Sequence, residues 1–160
     1  MKIKTGYLYH IKDEYFNLVN DDNLMTNHEV GKTRPTYFTI ADGDILWFIP
    51  ISSKVEKYQN VMNKKIKRYG FCDTIWIEKI YENKAAILFQ NAFPTLDKYI
   101  DHVHLINGKP AKVPYKLEKK ICDQFTKLME LHKRNIKVFF PDIDSLKQKM
   151  INELKCDSKK

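Results

Sequence analysis

The sequence predicts an α+β protein, a small antiparallel sheet or barrel followed by helices. Two hairpin-like runs in the first two thirds and a switch to helical periodicity after residue 110 point to this layout. The 160 residues fit one domain, 1–160, and 43% of them are hydrophobic, enough for a real core.

The elements follow in order. IKTGYLYHI (3–11) has strand-like aromatic and β-branched residues. Tyr15, Phe16, Leu18 and Val19 fit a short helix, and the polar stretch 20–34 (NDDNLMTNHEVGKTR) reads as a loop. YFTIADGDILWFIPI is two β-type runs joined through Asp42-Gly43, a pair that favours a type I′ turn because both central residues need positive φ. Pro50 near the end of the second run argues for an edge or a bulge. KVEKYQNVMNKKIKRY (54–69) is strongly basic and fits either a helix or a long basic loop. TIWIEKIYENKAAILFQ reads as a second hairpin turning at Glu82-Asn83, ended by Pro94, with a short helix over TLDKYIDH. After Asn107-Gly108 and Pro110, the spacing of Leu117, Ile121, Phe125, Leu128 and His132 predicts a helix over about 114–135. Pro141 and Asp142 open a last helix to about 155, with Leu146, Met150 and Leu154 inward.

Composition narrows the function. The formal net charge of +8 points to an anionic partner: nucleic acid, acidic protein or membrane surface. No stretch approaches the ~18 apolar residues of a membrane span, and the basic N-terminus lacks the apolar region of a signal peptide. Cys72, Cys122 and Cys156 form neither a disulfide framework nor a CxxC site, so a cytoplasmic protein with free thiols is expected. His102 and His104 form an HxH pair without an accompanying carboxylate cluster, which reads as a surface loop rather than a metal site. There is no GxxxxGK[ST], no GxGxxG and no GxSxG. No metal or cofactor is expected.

What remains is a set of hydroxyls, cations and aromatics around FIPISSKVEKY: Ser52, Ser53, Lys54, Lys57, Arg34, Tyr15 and Tyr58. Such a set suits a phosphodiester. Cations neutralise phosphate and rings stack unpaired bases. RNA brings its own nucleophile, the 2′-OH, so cleavage needs only charge stabilisation and two proton movements. Ser and Lys after a strand also serve as caps and solvated ends.

The stretch from KTRPTYFTI through LWFIPISSK resembles the core of the type III toxin–antitoxin toxins (the ToxN, AbiQ, TenpN and CptN branches), and is most like CptN. The shared features are a strand ending in Pro, an apolar residue, Ser or Thr, then Ser, with a lysine close after. A tyrosine follows the first strand, a basic residue precedes the second, and AAILFQNAFPT is similar to a later apolar-Pro strand. The resemblance implies a Kid/MazF/CcdB-like fold, a compact curved antiparallel sheet with helices outside. It implies a metal-independent, sequence-preferring endoribonuclease leaving 2′,3′-cyclic phosphate and 5′-hydroxyl ends, with cellular RNA as substrate and abortive infection against phage as the usual biology. It also implies a pseudoknotted antitoxin RNA that the toxin processes, that blocks the active site, and that joins it in a closed ring-like assembly.

By the same resemblance Ser53 matches the family serine and Ser52 its Thr/Ser. Many members place a proline between serine and lysine. Its absence here leaves Lys54 and Lys57 as alternatives, Lys54 favoured by adjacency. Arg34 or Lys32 takes the upstream basic place. Tyr15 lines the groove or, alternatively, packs in the core. Gln90 and Asn91 read a base edge or simply end a strand. Tyr58 and the basic run Lys64, Lys65, Lys67 and Arg68 would contact RNA, as would a lysine strip on the helix after Pro114. The rival from another class is a non-catalytic basic nucleic-acid-binding module.

Overall fold

A computed structural model describes residues 2–29 and 31–160. Strand β1 (Leu8–Ile11) and helix α1 (Asp13–Val19) lead into a short ladder of β2 (His28–Glu29) and β3 (Lys32–Thr33), which lies inside the stretch expected to be only loop. Then come β4 (Thr36–Asp42), β5 (Ile45–Ser52) and α2 (Val55–Tyr69), so the basic run is a helix. After them follow β6 (Ile75–Lys79), β7 (Lys84–Leu88), β8 (Phe93–Thr95), β9 (Ile100–Val103), β10 (Leu105–Ile106), β11 (Lys109–Pro110), α3 (Tyr115–Lys133) and α4 (Ile143–Ser158).

The main sheet is antiparallel, in the order β6-β7-β5-β4-β1-β9, with β8 also paired to β5. Among the described residues β6 and β9 remain its edges, so the ladder does not close into a barrel. Strand β5 explains its own composition. All eight of its residues are buried, because β4 pairs along one side while β8 and then β7 pair along the other. Leu46–Phe48 face Thr95–Phe93, and Ile51–Ser52 face Ile87–Ala86. Pro50 falls in the gap between those two partners, where a missing N–H breaks no ladder bond on that side.

Four local readings change. Asp42 pairs with Ile45, so the turn residues are Gly43 and Asp44, and only Gly43 has positive φ (61°). That sign pattern is type II′, not I′. Pro94 does not end the second hairpin. It lies within β8, opposite Trp47. TLDKYIDH gives only a 3₁₀ turn (Asp97–Tyr99), and the rest becomes β9, pairing with β1. The edge of β1 offers backbone partners that outweigh a weak helical tendency. The first strand is also shorter than 3–11.

The helices behave as their periodicity predicts. Leu117, Ile121, Phe125 and Leu128 of α3 are buried, and the Phe125 ring lies 5.8 Å from that of Trp47. Asp142 caps α4 by accepting from the Ser145 N–H, and Leu146 and Met150 face inward. Helix α2 packs separately, Tyr58 joining Ile75, Ala86 and Leu88 on the β6–β7 hairpin. This places its N-terminus at the end of β5, beside the β2–β3 ladder. Among the described residues no helix is long and apolar enough to cross a membrane.

Candidate functional site

Where β5 stops, Ser52 is still buried within the strand, while Ser53 and Lys54, just past its end, are exposed. Ser52 is 1% exposed, and its Oγ accepts from the Lys54 N–H at 3.2 Å. The bond fixes the chain between strand and helix. Lys54 is then the residue at which α2 begins. A helix start has amides without intrahelical partners and the positive end of the dipole, both favourable to a phosphate.

The loop before β4 brings a second cation. The buried Asn27 donates to Ile11 O and Asp13 Oδ1, and its carbonyl accepts from the Arg34 N–H. The Arg34 Nε donates to Thr26 O at 3.2 Å, so the guanidinium is held with its side chain only 10% exposed. Glu29 joins the two cations: Oε2 lies 3.0 Å from Arg34 Nη1, and Oε1 lies 3.6 Å from Lys54 Nζ. Lys54 is half-exposed. Nothing in the sequence marks Glu29, one of three acids in a polar stretch. Only the β2–β3 ladder brings it to Arg34.

Three connected hollows meet here. A polar one of about 470 Å³ holds Arg34, Ser52, Lys54, Lys57, Tyr58 and Asn91. Next to it, one of about 680 Å³ holds Lys32, Arg34, Ser53, Lys54 and three histidines, His10, His102 and His104. A third, about 670 Å³ and lined by more aliphatic side chains, runs from Ser53 and His104 past Ile51 and Tyr81. Glu29 lines all three.

Most expected site residues therefore converge: Ser52, Ser53, Lys54, Arg34, Lys32, Lys57, Tyr58 and Asn91. Lys32 and Arg34 both reach the cleft, as do Lys54 and Lys57. Six residues do not converge. Tyr15 is fully buried, its hydroxyl donating to Pro94 O at 2.7 Å, with burial pushing its pKa well up. Its core-packing alternative holds. Gln90 is buried, and its side-chain carbonyl accepts from Lys65 Nζ and Thr74 Oγ1. Gln90 cannot read a base, and Lys65 is tied to the protein instead of facing solvent. Lys64, Lys67 and Arg68 are exposed on α2, beyond the hollows.

The HxH pair is not a surface loop. His102 stacks on His10 across the β1–β9 ladder, ring centroids 4.4 Å apart, and His10 Nε2 lies 2.8 Å from His104 Nδ1. The sequence could not reveal this, since His10 joins from 92 residues away. Among the described residues no group of three or more His, Cys, Asp or Glu is arranged to hold a metal ion. At 2.8 Å the two histidine nitrogens share a proton, whereas ligands on one ion, at Zn–N distances of about 2.0–2.1 Å, sit further apart.

No family model matches the chain. Among curated proteins, an inorganic pyrophosphatase of Ureaplasma parvum serovar 3 (strain ATCC 700970) is 29% identical over 66 residues, 41% of this chain and 35% of that protein. The chain thus spans about a third of that relative's length. Among solved structures, the chain is similar to AbiQ, a lactococcal anti-phage endoribonuclease belonging to the type III toxin–antitoxin system. The TM-score is 0.74 at 17% identity, over 95% of this chain and 99% of that one. It is also similar to a structure bearing on bacterial type III toxin–antitoxin systems and selective toxin inhibition by a non-coding RNA pseudoknot, with a TM-score of 0.68 at 13% identity over 94% and 98%. At these identities the likeness establishes the fold: the α+β architecture of this chain is that of type III toxin–antitoxin structures.

Proposed function

We propose that this protein is the toxin of a type III toxin–antitoxin system and a metal-independent, sequence-preferring endoribonuclease. The observation that carries the reading is the convergence of Ser53, Lys54 and Arg34 at the start of α2, in a cleft, on the fold of an anti-phage endoribonuclease.

In this reading the scissile phosphate sits at the N-terminus of α2. Lys54 and Arg34 exchange part of their contact with Glu29 for the phosphate oxygens. The ribose 2′-OH attacks phosphorus, and the P–O5′ bond breaks to give a 2′,3′-cyclic phosphate and a 5′-hydroxyl. Both cations stabilise the charge that grows on the phosphorane, and the Ser53 hydroxyl donates to one of its oxygens. Ser52 orients Lys54 through its backbone bond. Lys57, Tyr58 and Asn91 hold the strand in the polar hollow, and Lys32 holds it on the histidine side.

The partner in this reading is a pseudoknotted antitoxin RNA that the toxin cuts from a repeat precursor and that then fills the cleft, in a closed ring-like assembly. Lys64, Lys67 and Arg68 are exposed in a line along α2, suited to phosphate contacts outside the cleft. The branch most like CptN, the single toxin unit over 1–160 and the cytoplasmic location rest on the sequence motif and composition.

Lys54→Ala and Ser53→Ala test the site. Each should slow cleavage of a defined RNA by about 10²–10³, with unchanged circular dichroism. Cleavage at the wild-type rate in the double variant removes the site. RNA that is bound but left intact by the wild type favours the non-catalytic binding module.

A further inference from the structure

We propose that His104 is the general base of the cleft, taking the proton from the attacking 2′-OH through its Nε2. The inference rests on the ribonuclease reading above and deepens it.

His104 and Ser53 both line the histidine-side hollow and the more aliphatic one, so they mark the line where the two meet. The backbone of His104 is clamped on both sides. Its N–H donates to Leu8 O, and its carbonyl accepts from Ala111 N, both at 2.7 Å. Its Nδ1 is engaged with His10 Nε2 at 2.8 Å, and His10 Nδ1 lies 2.7 Å from Thr33 Oγ1. The chain Thr33–His10–His104 fixes the ring and leaves Nε2 with no hydrogen bond among the described residues. When His104 Nδ1 carries the proton and donates to His10, Nε2 is a free acceptor. The Thr33 hydroxyl donates or accepts equally well, so the relay tolerates this tautomer. A positioned imidazole oriented through its other nitrogen by a further group is the arrangement that base catalysis requires.

Charge supports the role. Burial, and then the neighbouring His102, hold the His104 pKa below its usual value, so the ring is neutral and basic at pH 7. His10 is held lower still, at about 4, first by burial. It therefore stays neutral and does not compete as an acid. Around His104 the facing titratable and charged groups are His10 from β1, His102 from β9, Glu29 from β2, and the cations Lys32, Arg34 and Lys54, with Asp101 behind His102 at 3.0 Å. The step balances. O2′ bonds to phosphorus as its proton moves to His104 Nε2. The P–O5′ bond breaks, and O5′ takes a proton from the half-exposed Lys54 ammonium. Both side chains then re-equilibrate with water.

The test is the pH–rate profile of RNA cleavage in EDTA for the wild type, His104→Ala, His102→Gln and Lys54→Ala. The base must be neutral, so wild-type activity should fall as pH drops through the lowered His104 pKa. His104→Ala should lose about 10²–10⁴-fold and that acid limb, and added imidazole should restore part of the rate. His102→Gln should move the limb to higher pH, because the neighbouring imidazole that helps hold the His104 pKa down is gone. Cleavage by His104→Ala with an unchanged limb, while Lys54→Ala is dead, overturns the histidine alone. A His104→Ala protein that is inactive and not restored by imidazole, with no shift of the limb in His102→Gln, also overturns it. A wild type that cleaves no RNA overturns the ribonuclease reading and this inference with it.

Discussion

At the scale of single residues, Glu29 and His10 make the sharpest claims. Glu29 is the anion that Arg34 and Lys54 share in the free protein. An RNA phosphate must compete with it. Glu29→Gln should therefore tighten RNA binding several-fold at low salt, an advantage that shrinks as salt screens the cleft, measurable by fluorescence anisotropy across ionic strength. Weaker binding would mean that Glu29 mainly holds the cations in place. His10 has a pKa held at about 4 by burial. Its unfolded form protonates near 6.5, so the unfolded state binds the proton first. Stability is complete above pH 6.5 and is lost as pH falls towards 4, by on the order of 3 kcal/mol at most. Thermal unfolding between pH 7 and pH 4.5 should show this loss, and His10→Gln should flatten it.

At the scale of elements, β5 and the helix after it organise the molecule. Strand β5 is buried throughout because it has partners on both sides and helices over it. Phe125 of α3 plugs that surface at Trp47. Phe125→Ala should cost about 3–5 kcal/mol, read as a lowered midpoint in urea with little change in slope. The β4–β5 hairpin, the α3 face and the α4 cap were legible in the sequence, because each is written in neighbouring residues: a Gly-centred turn, a helical repeat, an Asp before a helix. So was the strand end Ser52-Ser53-Lys54. What was not legible depends on distant pairing. The β9 segment reads as helical until β1 offers it an edge. Tyr15 looks like a groove residue until α1 lays its ring against Phe93 and Tyr99. The contacts of Glu29 with Arg34, and of His10 with His104, exist only after the β2–β3 and β1–β9 ladders form.

At the scale of the whole molecule, two groups among the 28 Lys and Arg residues serve different ends. Arg34 and Lys54 lie in the cleft, partly neutralised by Glu29. Lys64, Lys67 and Arg68 lie exposed on α2. Replacing those three by Gln should weaken RNA binding and reduce the slope of log K against log salt by up to about 2 to 3, while the rate for a short RNA at saturation stays near the wild type. A loss of rate without a change in slope would place them in the reaction instead. In the proposed reading this cleft cuts RNA without a metal, using Lys54. The most direct measurement is to incubate the purified protein with total RNA in EDTA, alongside Lys54→Ala, and map the new ends. Fragments with 5′-hydroxyl and 2′,3′-cyclic phosphate ends, absent with Lys54→Ala, are the predicted result. RNA that remains intact after any co-purifying RNA has been stripped from the protein, or fragments that persist with Lys54→Ala, would contradict it.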